Sequence, residues 1–193
     1  MANNTISEIQ VAGSAVTGAV FYAVPGTALP TNTTTALAVA YKNLGYVGED
    51  GIQPAREVSV DEVKDMNGNV IRRVQTEFSK SYEIVFLQVT NEDLNNIVFG
   101  DAQVTVTAAT VSSGRIIAIL DKGLTGPLGV IVIETIDGTA KERRILPVAQ
   151  VTSMEEGPLV GTAVRQYTLT VSAYPDTSGN YEYTYNNDGV FSP

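Results

Sequence analysis

The sequence predicts a mainly β fold: a β-sandwich or barrel with one α-helix packed on it. Three observations carry the prediction. Tyr167, Leu169, Val171 and Ala173 alternate strictly with Gln166, Thr168, Thr170 and Ser172, the period of a half-buried strand. Asn67-Gly68 and Asp137-Gly138 each separate two strand-like runs, as the turn of a tight hairpin does. Helical spacing stands out in one segment, around Leu94, Ile97 and Val98. A chain of 193 residues can enclose one core, so 1–193 reads as a single domain.

The elements follow in chain order. Residues 1–17 read as an N-terminal arm, polar to Gln10 and small-residue after it. Nothing basic precedes the apolar stretch 11–30, and Glu8 stands where a secretory leader needs positive charge. Pro25, Gly26 and Pro30 break the chain, and 31–35 is a threonine-rich loop. Residues 56–63 form a strand with Glu57, Ser59 and Asp61 on its polar face. After the Asn67-Gly68 turn the return arm runs from Val70 towards Gln88, long for a strand. Its end, Ile84-Val85-Phe86-Leu87, is apolar on both faces and is expected to be buried on both. For the helix at 91–99, Thr90 is the expected N-cap, Val89 and Leu94 the staple, and Gly100 the αL stop. Further strands are expected at 104–108, 115–120, 128–136, 140–148 and 167–173. Residues 155–161 read as a loop, and 176–193 as a flexible, turn-rich tail.

Composition excludes several chemistries. The chain has no cysteine and no histidine, so disulfides, Cys/His zinc sites and Ser-His-Asp triads are ruled out. Its net charge of −9 argues against a general DNA-binding surface. Asp65, Asn67 and Asn69 imitate the start of a calcium loop, but Val70 and Thr76 stand where glycine and glutamate are needed. Asp61-Glu62 and Glu155-Glu156 are adjacent pairs whose side chains diverge on a strand, unlike the converging carboxyls of a glycosidase. Lys141, Arg143 and Arg144 form the basic cluster. It is too small for nucleic acid, and it reads as a solvated hairpin arm or as a salt bridge to an acidic neighbouring subunit. With no catalytic constellation and no cofactor motif, the residues favour a structural or binding protein.

Several segments, taken in order and spacing, carry a family resemblance. They are Gly18-Ala19-Val20-Phe21 with Gly26-Thr27-Ala28-Leu29-Pro30, then Leu44-Gly45-Tyr46-Val47-Gly48-Glu49-Asp50-Gly51. Val98-Phe99-Gly100-Asp101 closes the helix, and the last strand runs into Ala173-Tyr174-Pro175-Asp176. From about residue 18 to 176 the chain resembles the major tail tube proteins of long-tailed (siphovirus-type) bacteriophages, especially those of actinobacterial hosts.

The resemblance implies a β-sandwich with one flanking helix and a long β-hairpin. It implies hexameric rings stacked into a tube that delivers phage DNA, with strands of neighbouring subunits joined in one barrel. Implied partners are further copies of the chain, the tape measure, tail terminator and baseplate or tail-tip proteins, and double-stranded DNA passing without sequence-specific binding. No membrane binding, cofactor, metal or catalytic residue is implied. The implied location is the virion, after assembly in host cytoplasm.

On this reading the polar halves of the hairpin arms are the candidates for the lumen: Glu57, Ser59, Asp61, Gln75, Glu77, Ser79 and Ser81. Lys141, Arg143 and Arg144 are the candidates for inter-subunit salt bridges. The acid surplus suits a conduit, since a negative wall repels phosphate. The alternative is a β-sandwich binding module, an adhesin or a carbohydrate- or receptor-binding domain, with Tyr181, Tyr183 and Tyr185 as its aromatic platform.

Overall fold

A computed structural model describes residues 9–15 and 18–191; of the arm expected at 1–17, residues 1–8 and 16–17 lie outside the described residues. Strands β1 (Val20–Ala23), β2 (Lys42–Asn43), β3 (Val47–Lys64) and β4 (Val70–Phe86) precede helix α1 (Glu92–Phe99). Next come β5 (Val104–Thr107), β6 (Ile116–Ile119), β7 (Gly129–Asp137), β8 (Ala140–Glu156), β9 (Tyr167–Tyr174) and β10 (Tyr183–Asn187). Strands β5 and β6 form a separate two-stranded sheet. The others form one sheet in the order β2-β1-β7-β8-β9-β4-β3, every pair antiparallel. Strand β8 is long enough to serve two partners on one side: β10 along Lys141–Ile145 and β9 from Val148 onward.

Alternation gives the sheet two faces, and each is covered differently. On one, Tyr82, Ile84 and Phe86 meet Leu169, Val171, Leu146 and Ile131, with Leu94, Ile97 and Val98 of α1 in the same cluster. On the other, Phe21, Val130, Val132 and Ile145 pack with Tyr41, Leu29 and Leu37 from the β1–β2 connection and with Tyr183 and Tyr185 of β10. A register shift between Gly129 and Ile131 keeps both Leu146 and Ala149 of β8 with the first cluster, as a β-bulge does. Gly126 runs so close beneath the helix that a Cβ would stand 2.2 Å from the Ile97 carbonyl oxygen.

Local chemistry corrects three expectations. Asn91, not Thr90, caps α1: its side chain accepts from the Leu94 amide at 3.2 Å. The cap thus falls one residue later, and Val89 packs at the core margin instead of stapling the first turn. Gly100 closes the helix at φ 89°, ψ 144°, a region open essentially to glycine alone, not αL.

At the hairpin tip no non-glycine residue has positive φ, so Asn67-Gly68 is not a type I′ turn. Instead the Gly68 amide donates to the Asp65 carbonyl at 3.0 Å and the Asp65 amide to the Asn69 carbonyl at 2.9 Å. This is the three-residue loop with glycine at the positive-φ position. The Asp65 carboxylate accepts from the Asn67 and Asn69 amides at 2.9 and 2.8 Å, and this turn is what the calcium-like spacing builds. In the second hairpin Asp137 pairs with Ala140, so the loop is Gly138-Thr139, with positive φ at Gly138 alone.

Candidate functional site

Register joins four strands into one polar surface on the reverse of the core. Gln53 of β3 stands opposite Glu83 of β4, Glu83 opposite Thr170 of β9, and Thr170 opposite Ser153 of β8. The next row is Ala55, Ser81, Ser172 and Gln150. The Thr152 hydroxyl lies 2.9 Å from that of Ser172 and donates to the Thr170 carbonyl at 3.3 Å. This wall has two open strand edges. One is β3, last in the sheet order, where Pro54 is tolerated because an edge does not require every amide. The other is β8 beyond Ala149, where β7 has ended.

Strand β4 leaves β9 at Lys80, and β3 and β4 continue alone to the tip. About ten residues per strand extend past the body, roughly 30 Å at strand rise. Glu57 opposite Ser79 and Ser59 opposite Glu77 carry the polar face outward. Register then shifts: Ser59 pairs with Glu77, but Val60 pairs with Gln75, leaving Thr76 as the extra residue. The bulge turns Gln75 onto the face of Val60 and brings Val74 opposite Asp61. Glu57, Ser59, Asp61, Glu77, Ser79 and Ser81 therefore share one face, and Gln75 lies on the other.

The same register sorts charge. Glu57, Asp61, Glu77 and Glu83 stand on the wall face with Arg72, while Arg56, Lys64, Arg73 and Lys80 stand on the opposite face with Glu62. Two faces of one hairpin are thus acidic and basic.

A polar clamp holds the basic face at its base. The Tyr82 hydroxyl donates to the Glu182 carboxylate at 2.6 Å, and Lys80 forms a largely buried ion pair with the same carboxylate. Arg144, paired with Glu142 at 2.9 Å, reaches towards the Tyr82 oxygen. Burial favours protonated Glu182, but hydrogen bonds from Lys80, Thr184 and Tyr82 outweigh it and hold the carboxyl below the usual range. Burial, then the Glu182 bond, drives the Tyr82 phenol far upward. The Tyr181 ring meets Phe78 edge-on at 4.6 Å between centroids, and Arg56 lies over Phe78.

The basic cluster divides three ways. Lys141 is exposed. Arg143 is buried, donating to Glu134 at 2.6 Å and to the carbonyls of Asn32 and Thr35. Arg144 is taken up by Glu142. The tyrosines offered as a binding platform are likewise engaged: Tyr183 and Tyr185 in the second cluster, Tyr181 on Phe78. Sequence reasoning missed Glu182 because β10 lies inside the segment read as a tail; the alternation of Tyr181, Tyr183 and Tyr185 was its available signal.

No helix among the described residues is long and apolar enough to cross a membrane. The chain belongs to the phage tail tube protein family, whose family model matches residues 1–191. It is a structural component of the virion, not an enzyme. Among solved structures it is similar to the anti-feeding prophage cap, which terminates that tube, at 10% identity and TM-score 0.45, covering 95% of this chain and 100% of the other. It is also similar to a chain of the PVC sheath-tube complex, an extracellular contractile injection system in the extended state, at 12% identity and TM-score 0.40, covering 94% and 98%. No curated protein matches.

Proposed function

We propose that the chain forms hexameric rings that stack into the tail tube of a siphovirus-type phage, with the polar wall lining the channel for DNA. The observation that carries this reading is the four-strand wall with two free edges. An exposed edge is a template for pairing, and pairing part of edge β3 of one copy with the stretch of β8 beyond Ala149 of the next would close a ring. Glu57, Ser59, Asp61, Glu77, Ser79 and Ser81 then face the lumen, where fixed negative charge keeps phosphate from sticking. Gln75 faces away. Lys141 is the member of the basic cluster free to meet a neighbouring subunit. Copies at the tube ends would contact the tape measure, terminator and tail-tip proteins, after assembly in host cytoplasm.

Electron microscopy of the purified protein at high concentration tests the reading. Rings or tubes with six-fold symmetry and a central channel are expected; dispersed monomers at every concentration, with affinity for a carbohydrate or receptor, would support the binding-module alternative.

A further inference from the structure

We propose that the groove between the 31–34 loop and β10 binds a neutral saccharide chain. The groove encloses about 940 Å³, near the upper end of the range for small-molecule sites. Its lining is mainly amide and hydroxyl: Asn32, Thr33 and Thr34 on one side, Thr184, Asn186 and Asn187 on the other. No lysine or arginine lines it, so nothing there neutralises a phosphate or sulfate. Tyr185 is the single large apolar contributor, and its ring already packs in the second cluster. A lipid or an apolar peptide would find little surface to bury. Of the two carboxylates, Glu142 is taken up by Arg144, and Asp188 accepts the Val190 amide at 3.0 Å.

The groups left over match a polyhydroxyl ligand, whose hydroxyls each donate and accept. Thr33 is 8% exposed, yet its hydroxyl has no hydrogen-bond partner among the described residues. Asn95 Oδ1 is the one sealed side-chain polar atom without a partner among those residues, so the Thr33 oxygen is reached from the solvent space it lines. Asn32 Oδ1 accepts from the Thr34 and Thr35 amides at 3.1 and 2.7 Å, and Asn187 Oδ1 from the Gly189 amide at 2.9 Å. Both side chains are thereby turned so that their amide NH2 groups are left to donate. Arg143 fastens the loop through the carbonyls of Asn32 and Thr35. The donors and acceptors are therefore held in place before a ligand arrives, which lowers the cost of binding.

Placement suits an external ligand. Ile133 of β7 and Ile52 of β3 line one hollow although three strands separate them in the sheet, so the sheet curls around the first cluster. The second cluster, covered by the β1–β2 connection and β10, lies across that core from the polar wall. In a tube lined by the wall, a placement that rests on the tube reading, the groove opens outward. It then repeats on every copy, and repetition turns weak single contacts into avidity.

Nuclear magnetic resonance titration of the full chain with neutral hexasaccharides of glucose, galactose and mannose tests the site. At millimolar sugar, at least one of them should shift the resonances of residues 31–34 and 184–188. Thr33→Val and Asn186→Ala should each weaken that binding about three- to tenfold, with circular dichroism unchanged. Binding of none of the three, a preference for a heparin hexasaccharide, or variants that bind as the wild type does would each overturn the proposal. Electron microscopy of the same protein separates the two readings. Tubes without saccharide binding overturn the site and leave the tube reading standing; binding by protein that never forms rings or tubes does the reverse.

Discussion

Arg143 is the most consequential single side chain outside the apolar core. It is buried, and it ties β8 to Glu134 of β7 and to two carbonyls of the 31–35 loop. Arg143→Ala leaves Glu134 without its partner and should cost about 3–5 kcal/mol, read as a lower denaturation midpoint. Glu182 governs a different response. Its carboxyl is held below the ordinary range in the folded chain, so its contribution is present above the unfolded pKa and is lost as pH falls through the folded one. Acidification below about pH 4 should release β10 from the hairpin base. Faster amide exchange at Tyr183–Asn187 would report it. Glu182→Gln should weaken the clamp at neutral pH and remove this acid-dependent step. Neither role was legible beforehand, because an arginine on an alternating strand looks the same whether it meets solvent or a loop more than a hundred residues away.

At the scale of elements, much of the fold could be read in advance. Helix α1 declared itself by its stripe, and Leu94 is fully buried; Leu94→Ala should cost about 2–5 kcal/mol in a denaturant titration. Strand β9 follows its alternation residue for residue, with Tyr167, Leu169, Val171 and Ala173 buried. Strand β3 was legible only from Arg56: its first residues contain Gly48 and Gly51, which local propensity assigns to a turn, and both fall in the register irregularity between the Val47–Phe86 and Ile52–Ile84 pairs that carry the strand across it. Strand β8 continues to Glu156 through residues that read as a loop, because β9 supplies their partners. The polar hairpin face was legible as far as Ser59 and Glu77. Beyond them the Thr76 bulge decides the facing, and a bulge leaves no fixed mark in sequence.

For the whole molecule, electrostatics should control assembly in two regimes. Each chain brings a net charge of −9, so repulsion between copies is strongest at low salt. Light scattering across a salt series should show tube growth rising at first. It should then fall where attractive ion pairs between copies, such as those open to the exposed Lys141, are screened; a purely monotonic loss with salt would mean that attraction governs throughout.

The two register shifts of the free arm, at Ser59/Val60 and Val63/Lys64, have a consequence for the unassembled pool. Each shift inserts its extra residue into β4 and adds local right-handed twist. A long two-stranded ribbon with apolar side chains would, if flat, be a template for edge-to-edge aggregation. The twist prevents such ribbons from lying flush against one another in arbitrary register. Unassembled subunits are therefore expected to resist ribbon-to-ribbon aggregation. Deleting Thr76 should flatten the arm and divert newly made protein into amorphous precipitate.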